Sequence, residues 1–359
     1  MPINLTWADY VFAESSKASI ELWQAAADTT AASGRALLVC GAGFDPRTLD
    51  VPRRVAEHLS DIDVLALELA PPGSHDTADA AAEQHQDELK NLFGRRLTLV
   101  PRVTATDPSS QSAKLTRGLV RDHGLLDYDT VLLDMSGLPS MVSFAILQLL
   151  LTQAQQQAQQ FAGNLLAIAS EDPFTDSRIF ASELDEPETL AGFPGLDEAA
   201  GTTIWVPVLG RSSVDELRAL SVFLNPGEVC AVVPFPAGNP RIGDDLLLEH
   251  RQLLFDELEL EPRNVFYASE SNPFDLYRQL VHLADRYRQA LKPLGSTSVV
   301  VSEHTSKMLG LGVVLAAHEQ KLTVAHARPM SYRLEGSRVD AERETNISTA
   351  WLLGSPYDT

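Results

Sequence analysis

The residues best suited to chemistry sit in short runs directly after apolar, strand-like segments. Gly41-Ala42-Gly43-Phe44-Asp45-Pro46-Arg47 follows ALLVC. Gly41 and Gly43 let a backbone approach a ligand closely, and Arg47 carries the planar fork that grips phosphate or carboxylate. Asp134-Met135-Ser136-Gly137-Leu138-Pro139-Ser140-Met141 follows TVLL and runs into an apolar helix. The free N–H groups at such a helix start suit an anion beside Ser136, whereas plain capping by Ser136 or Ser140, with Asp134 as a strand-end residue, is the equal alternative. Ser302-Glu303-His304-Thr305-Ser306-Lys307-Met308 precedes LGLGVVLAA. Thr305, Ser306 and Lys307 supply two hydroxyls, backbone amides and one ammonium for a phosphate, and a lysine in a first helical turn opposes the helix dipole unless something else requires it. Arg241, in Pro236-Ala237-Gly238-Asn239-Pro240-Arg241, is a further anion contact, and Glu270 and Arg328 complete the rim.

Acid–base chemistry has four candidates in these loops: Asp45, Asp134, Glu270 and His304. Other chemistries lose ground. There is no Gly-x-Ser-x-Gly elbow, no His-Glu-x-x-His and no Walker sequence, so serine hydrolase, zinc protease and P-loop readings fail. A dinucleotide fingerprint needs glycine where the chain has Pro46, so nicotinamide binding fails too. Asp244 and Asp245 could cap the next helix or hold a divalent metal, and capping is the stronger reading, since an acidic pair without further ligands holds a cation poorly. No metal site and no particular cofactor follow.

These loops must be positioned by alternating strands and helices. Strands are expected at ALLVCG, DVLALEL, LTLVP, TVLLDM and LLAIAS in the first half, and at TIWVPVLG, EVCAVVPF, NVFYAS, TSVVVSE and LTVAHA in the second, with segments of helical period between them. Such alternation predicts an α/β fold of two tandem Rossmann-like units, each a mostly parallel sheet with helices on both faces. The expected division is a helical segment plus first unit over 1–180, a connection over 181–202, a second unit over 203–332 and a tail over 333–359, which adds a short edge strand or docks on the body. Two echoes suggest duplication: Ala169-Ser170-Glu171 against Ala268-Ser269-Glu270, and Asp45-Pro46-Arg47 against Asn239-Pro240-Arg241. Strand-end loops that simply favour Pro, Asn and Asp would give the same matches.

The chain has 359 residues, 28 Lys+Arg and 49 Asp+Glu, for a formal charge of −21. So acidic a surface repels a nucleic-acid backbone, which excludes non-specific nucleic-acid binding but not a small anion in a locally basic pocket. Cys40 and Cys230 each lie in an apolar run, which fits buried thiols of a reducing compartment. No signal peptide is visible, and no apolar stretch approaches the roughly 20 residues of a membrane span. The expectation is a cytoplasmic protein without a membrane partner.

Two family resemblances bear on function. Gly41, Gly43 and the acidic Glu68 at the end of the next strand resemble S-adenosylmethionine methyltransferases, whose second strand ends in a ribose-binding carboxylate. Thr305, Ser306, Lys307 and Met308, after a strand and before a small-residue helix, are similar to the Thr-Gly-Gly-Thr-Lys-Pro-Met loop of CRISPR-associated Rossmann-fold (CARF) sensor domains. Asp134 to Met141 is the weaker counterpart in the first half, and Glu303 and His304 stand where that family has its glycine pair. The resemblance implies a phosphate-bearing or cyclic nucleotide ligand, a sensor in a prokaryotic defence or stress system, and a separate effector protein as partner. The leading expectation is therefore a nucleotide-like ligand sensor or regulatory scaffold, with anion contacts at Arg47, Arg241, Lys307 and Arg328. The rivals are an enzyme acting on a nucleotide or phosphorylated small molecule, including a methyltransferase, and a non-catalytic structural subunit.

Overall fold

A computed structural model describes residues 5–29, 34–68, 76–101, 109–155, 161–172, 179–197, 200–327, 329–334 and 345–357. The chain divides into two compact units: a first unit of Asp9–Ser182 with Met330–Thr359, and a second of Met1–Ala8 with Glu183–Pro329. Both are α/β units built on mostly parallel sheets flanked by helices.

In the first unit, β1 (Val11–Ala13), α1 (Ser16–Asp28), β2 (Ala36–Gly41), α2 (Asp50–His58), β3 (Ile62–Leu67), α3 (Asp76–Phe93), β4 (Leu97–Val100), α4 (Ser109–His123), β5 (Thr130–Asp134), α5 (Ser140–Gln155) and β6 (Asn164–Glu171) follow in order. Strands β2 to β6 are parallel and lie in the spatial order β4-β3-β2-β5-β6. Strand order therefore reverses between β2 and β5. Trp23, Val51, Val55, Leu89 and Phe93, from α1, α2 and α3, bury against Leu38, Cys40, Val64 and Leu132 of the sheet. Helix α5 reads apolar on all sides, and Met141 to Gln148 are buried without interruption, as expected of a helix covered around its circumference.

The second unit repeats the plan. After β7 (Ile179–Leu184) and β8 (Glu188–Thr189) come β9 (Thr202–Val208), α6 (Val214–Leu224), β10 (Glu228–Val229), β11 (Ala231–Pro234), α7 (Ile242–Glu249), β12 (Val265–Ala268), α8 (Pro273–Leu291), β13 (Thr297–Glu303), α9 (Lys307–Gln320) and β14 (Thr323–His326). Spatial order is β12-β11-β9-β13-β14, with β8 antiparallel on the β14 edge. Here the order reverses between β9 and β13. Leu217, Leu220 and Leu246, from α6 and α7, pack on Trp205, Ala231, Val233 and Val300.

Several expectations need correction. The tail is no edge strand: β16 (Asn346–Leu353) lies inside the first sheet, antiparallel to both β6 and β1. Its residues Ile347 to Leu352 are all buried, and Trp23 of α1 donates its indole N–H to Thr349. That pairing joins residues more than 300 positions apart, which local periodicity does not report. The chain passes between units within β7 and again within β15 (Pro329–Leu334), and these two strands pair. Met1–Ala8 belongs with the second unit, where Trp7 stacks edge-on against Tyr277. EVCAVVPF is broken at Cys230, whose N–H bonds Trp205 O between β10 and β11. The two echoes also fall on inequivalent loops. Asp45-Pro46-Arg47 follows the first strand of its parallel set and Asn239-Pro240-Arg241 the second; Ala169-Ser170-Glu171 closes the fifth and Ala268-Ser269-Glu270 the third. What repeats is the strand order.

Candidate functional site

In open α/β sheets the ligand crevice lies beyond the carboxyl ends of the strands where their order reverses. In the first unit that point is flanked by the loops after β2 and β5, which hold six of the sequence-predicted residues: Gly41, Gly43, Asp45, Arg47, Asp134 and Ser136. A Cβ on Gly41 would lie 2.5 Å from the carbonyl oxygen of Gly137, and one on Gly137 would lie 2.6 Å from Thr48 Oγ1. The two loops thus meet backbone to backbone, with Thr48 beneath. Gly43 is buried, and its carbonyl accepts a hydrogen bond from His85 Nδ1 of α3 at 2.8 Å.

Asp45 caps the short turn Pro46–Leu49: its Oδ1 accepts from Arg47 N at 2.9 Å and Arg47 Nε at 3.0 Å, and its Oδ2 from the guanidinium at 2.8 Å. Arg47 is only 7% exposed. This fork is internal and close to neutral overall, so Arg47 is engaged by its own loop in the way it was expected to engage an anion.

Asp134 is 0% exposed. Its Oδ1 accepts from Ser136 N at 2.9 Å and Ser136 Oγ at 2.5 Å, while Oδ2 has no partner. Burial pushes its carboxyl up to about 7, against the pull of Ser136 and with help from the charges of Asp50 and Asp45. Ser136 does not cap α5; its hydroxyl also accepts from Ser170 N at 2.8 Å, and Ser170 Oγ donates to Asp50 Oδ2 at 2.7 Å. Burial raises Asp50 as well. A polar chain Asp134–Ser136–Ser170–Asp50 therefore ties β5, β6 and α2 together. Glu68 follows β3 directly and is half-buried, its N–H bonded to Val100 O.

The second unit has the same close approach at its reversal. A Cβ on Gly210, after β9, would fall on the carbonyl of His304. The His304 side chain is 1% exposed, with Nδ1 bonded to Glu216 Oε2 at 2.9 Å and Nε2 to Ser302 Oγ at 3.0 Å. Trp205 Nε1 donates to the same Ser302 oxygen at 3.0 Å. Both ring nitrogens are satisfied, and the imidazole fixes the post-β13 loop to the first turn of α6. Ser306 is the N-cap of α9, accepting from Leu309 N at 3.3 Å, and Lys307 opens the helix. Thr305, Ser306 and Lys307 are all half-buried at this helix start. Arg241 is exposed at the start of α7, with its N–H on Asn239 Oδ1. Glu270 Oε2 accepts from Gly238 N at 2.8 Å, joining the loops after β11 and β12. Arg328 lies outside the described residues. Among the described residues no cluster of three or more His, Cys, Asp or Glu could hold a metal ion, and no helix is long and apolar enough to cross a membrane.

Sequence reasoning missed Thr48, Asp50, His85, Ser170, Glu216 and Ser302. Ser170 and Ser302 carried a signal, since each is a polar residue at the end of an apolar strand. Asp50, His85 and Glu216 look like ordinary polar helix residues until their helices pack.

No family model and no curated relative matches the chain. Among solved structures, it is similar at 13% identity to a human methyltransferase 10 domain containing protein, over 46% of this chain and 71% of that one, with a TM-score of 0.24. A Haemonchus contortus phosphoethanolamine N-methyltransferase 1, in complex with phosphoethanolamine and S-adenosylhomocysteine, is 9% identical over 94% and 91% of the chains, with a TM-score of 0.19. An A-type ketoreductase from a modular polyketide synthase is 13% identical over 88% and 81%, with a TM-score of 0.17. At such TM-scores these likenesses carry no argument about what this chain does.

Proposed function

We propose that the protein binds a nucleotide-like ligand at its strand-end loops and acts as a sensor or regulatory scaffold that signals to a separate effector protein. The observation that carries this reading is that the acid–base candidates are engaged inside the loops. Asp45 is forked onto Arg47, His304 is held at both nitrogens, Glu270 holds Gly238, and Asp134 is wholly buried. Groups locked this way preorganise loops for binding more readily than they shuttle protons. In the second unit, Thr305, Ser306 and Lys307 would receive the phosphate at the start of α9, with Arg241 as a further contact.

An enzymatic reading, a methyltransferase in particular, draws support from one feature: Glu68 at the end of the strand next to β2, where a carboxylate meets ribose hydroxyls in nucleoside-binding crevices. Thermal unfolding of the purified chain against a panel of linear and cyclic nucleotides, nucleosides and S-adenosylmethionine separates the readings. Stabilisation with the ligand recovered intact supports the sensor, and turnover supports the enzyme. No shift with any compound sinks both and leaves a structural subunit.

A further inference from the structure

The loops at the first unit's reversal gather three carboxyl groups, of which Asp45 is paired with Arg47. Asp45, Asp50 and Asp134 act on one another electrostatically. Two neighbouring cations are already paired: Arg47 with Asp45 of this cluster, a fork that adds no net charge, and Arg53 with Glu88, which accepts from it at 2.6 and 2.9 Å, while Arg53 still draws Asp50 down. A second observation is independent of charge. At this reversal, among the described residues, Asp134 Oδ2 and Thr48 Oγ1 are fully buried and lack a hydrogen-bond partner. Thr48 Oγ1 abuts Gly137, the residue after the Ser136 that holds Asp134. Buried polar atoms are nearly always satisfied in native proteins, so unpartnered ones of this kind point to a donor that completes them.

We propose that the strand-end crevice of the first unit receives the positively charged, hydrogen-bond-donating end of a ligand, an ammonium-type group, rather than a phosphate. This rests on the reading that strand-end loops bind a nucleotide-like ligand, and adds which charge the first unit accepts. An ammonium brings three donors and no acceptor, matching Asp134 Oδ2 and Thr48 Oγ1, while the Asp50 carboxylate, which already accepts from Ser170 and Thr345, adds its charge. A phosphate would meet carboxylates and a guanidinium already neutralised by Asp45. Among the described residues, the titratable groups acting on Asp134 are Cys40 of β2, Asp45 of the following loop and Asp50 of α2; β6 contributes the Ser170 hydroxyl through Ser136. Burial keeps Cys40 a neutral thiol, and Asp45 and Asp50 both disfavour the ionised Asp134, an effect the arriving cation offsets. Binding then releases the proton that Asp134 carries below neutrality.

The test is calorimetry of the full chain with three matched probes, adenosine, AMP and 5′-amino-5′-deoxyadenosine, near pH 6 in two buffers of different ionisation enthalpy. The expected result is that the amino compound binds at least ~tenfold tighter than adenosine and releases close to one proton. Asp50→Asn should weaken the amino compound about tenfold more than it weakens adenosine. Asp134→Asn should abolish proton release. If the amino compound binds no tighter than adenosine, or Asp50→Asn weakens it no more than twofold beyond its effect on adenosine, the cation assignment falls. In that event AMP binding that is lost in Lys307→Ala keeps the wider reading standing. If none of the three probes binds, both fall together.

Discussion

Gly41 lies so close to Gly137 that a side-chain carbon on Gly41 would sit 2.5 Å from the Gly137 carbonyl oxygen and 2.8 Å from its carbonyl carbon. Neither backbone segment has a flexible side-chain end that could yield. Gly41→Ala should therefore cost about 1–3 kcal/mol, the usual range for overpacking. A loss below about 0.5 kcal/mol in urea unfolding would mean that the loops separate easily.

Asp134 makes stability depend on pH in an unusual direction. Its folded carboxyl titrates at about 7, above an unfolded value near 3.9, so between those values the folded chain holds the proton more tightly. Stability contributed by this group is full below the unfolded value and falls as pH rises toward 7, by on the order of 4 kcal/mol. His318 works oppositely: burial holds it down at about 4, so its contribution is lost as pH falls from about 6.5. The clean measurement is the difference in unfolding free energy between the parent and Asp134→Asn across pH 4 to 8. A flat difference would contradict the burial of Asp134.

His304 joins Glu216, Ser302 and, through Ser302, Trp205. His304→Ala leaves a partly buried carboxylate and a buried hydroxyl short of partners, at a cost of about 2 kcal/mol or more. Thermal unfolding should show the loss. An unchanged midpoint would mean that these bonds do not hold the loop.

Lys307 tests the anion site separately from the fold. Lys307→Ala removes a cation from the start of α9, where the helix dipole disfavours it, so stability should stay within about 1 kcal/mol of the parent. Affinity for whichever nucleotide stabilises the parent should drop at least tenfold, equivalent to about 1.5 kcal/mol. Affinity within a factor of two would remove the post-β13 loop from the site.

Much of the architecture was legible along the chain. The parallel strands β2 to β6 and β9 to β14 coincide with the ten apolar runs ALLVCG to LLAIAS and TIWVPVLG to LTVAHA, EVCAVVPF supplying both β10 and β11, because a buried parallel strand writes its environment into consecutive residues. The loops worth inspecting followed from the same runs, since chemistry in such folds gathers where strands end. Less visible was which loops meet. Gly41 and Gly137 are brought together only because β2 and β5 are neighbours, and Gly210 and His304 because β9 and β13 are.

The sequence by itself determined local periodicity: where strands and helices run, which side chains are small, and that Gly41, Asp134 and Lys307 stand at strand or helix ends. Tertiary structure decided everything that depends on distant partners. It placed β16 inside the first sheet, spent Arg47 on Asp45, buried His304 between Ser302 and Glu216, and left Asp134 Oδ2 without a donor. The physical reason is that strand pairing and desolvation are properties of the packed chain: a carboxylate's charge and an arginine's availability are set by what folds against them.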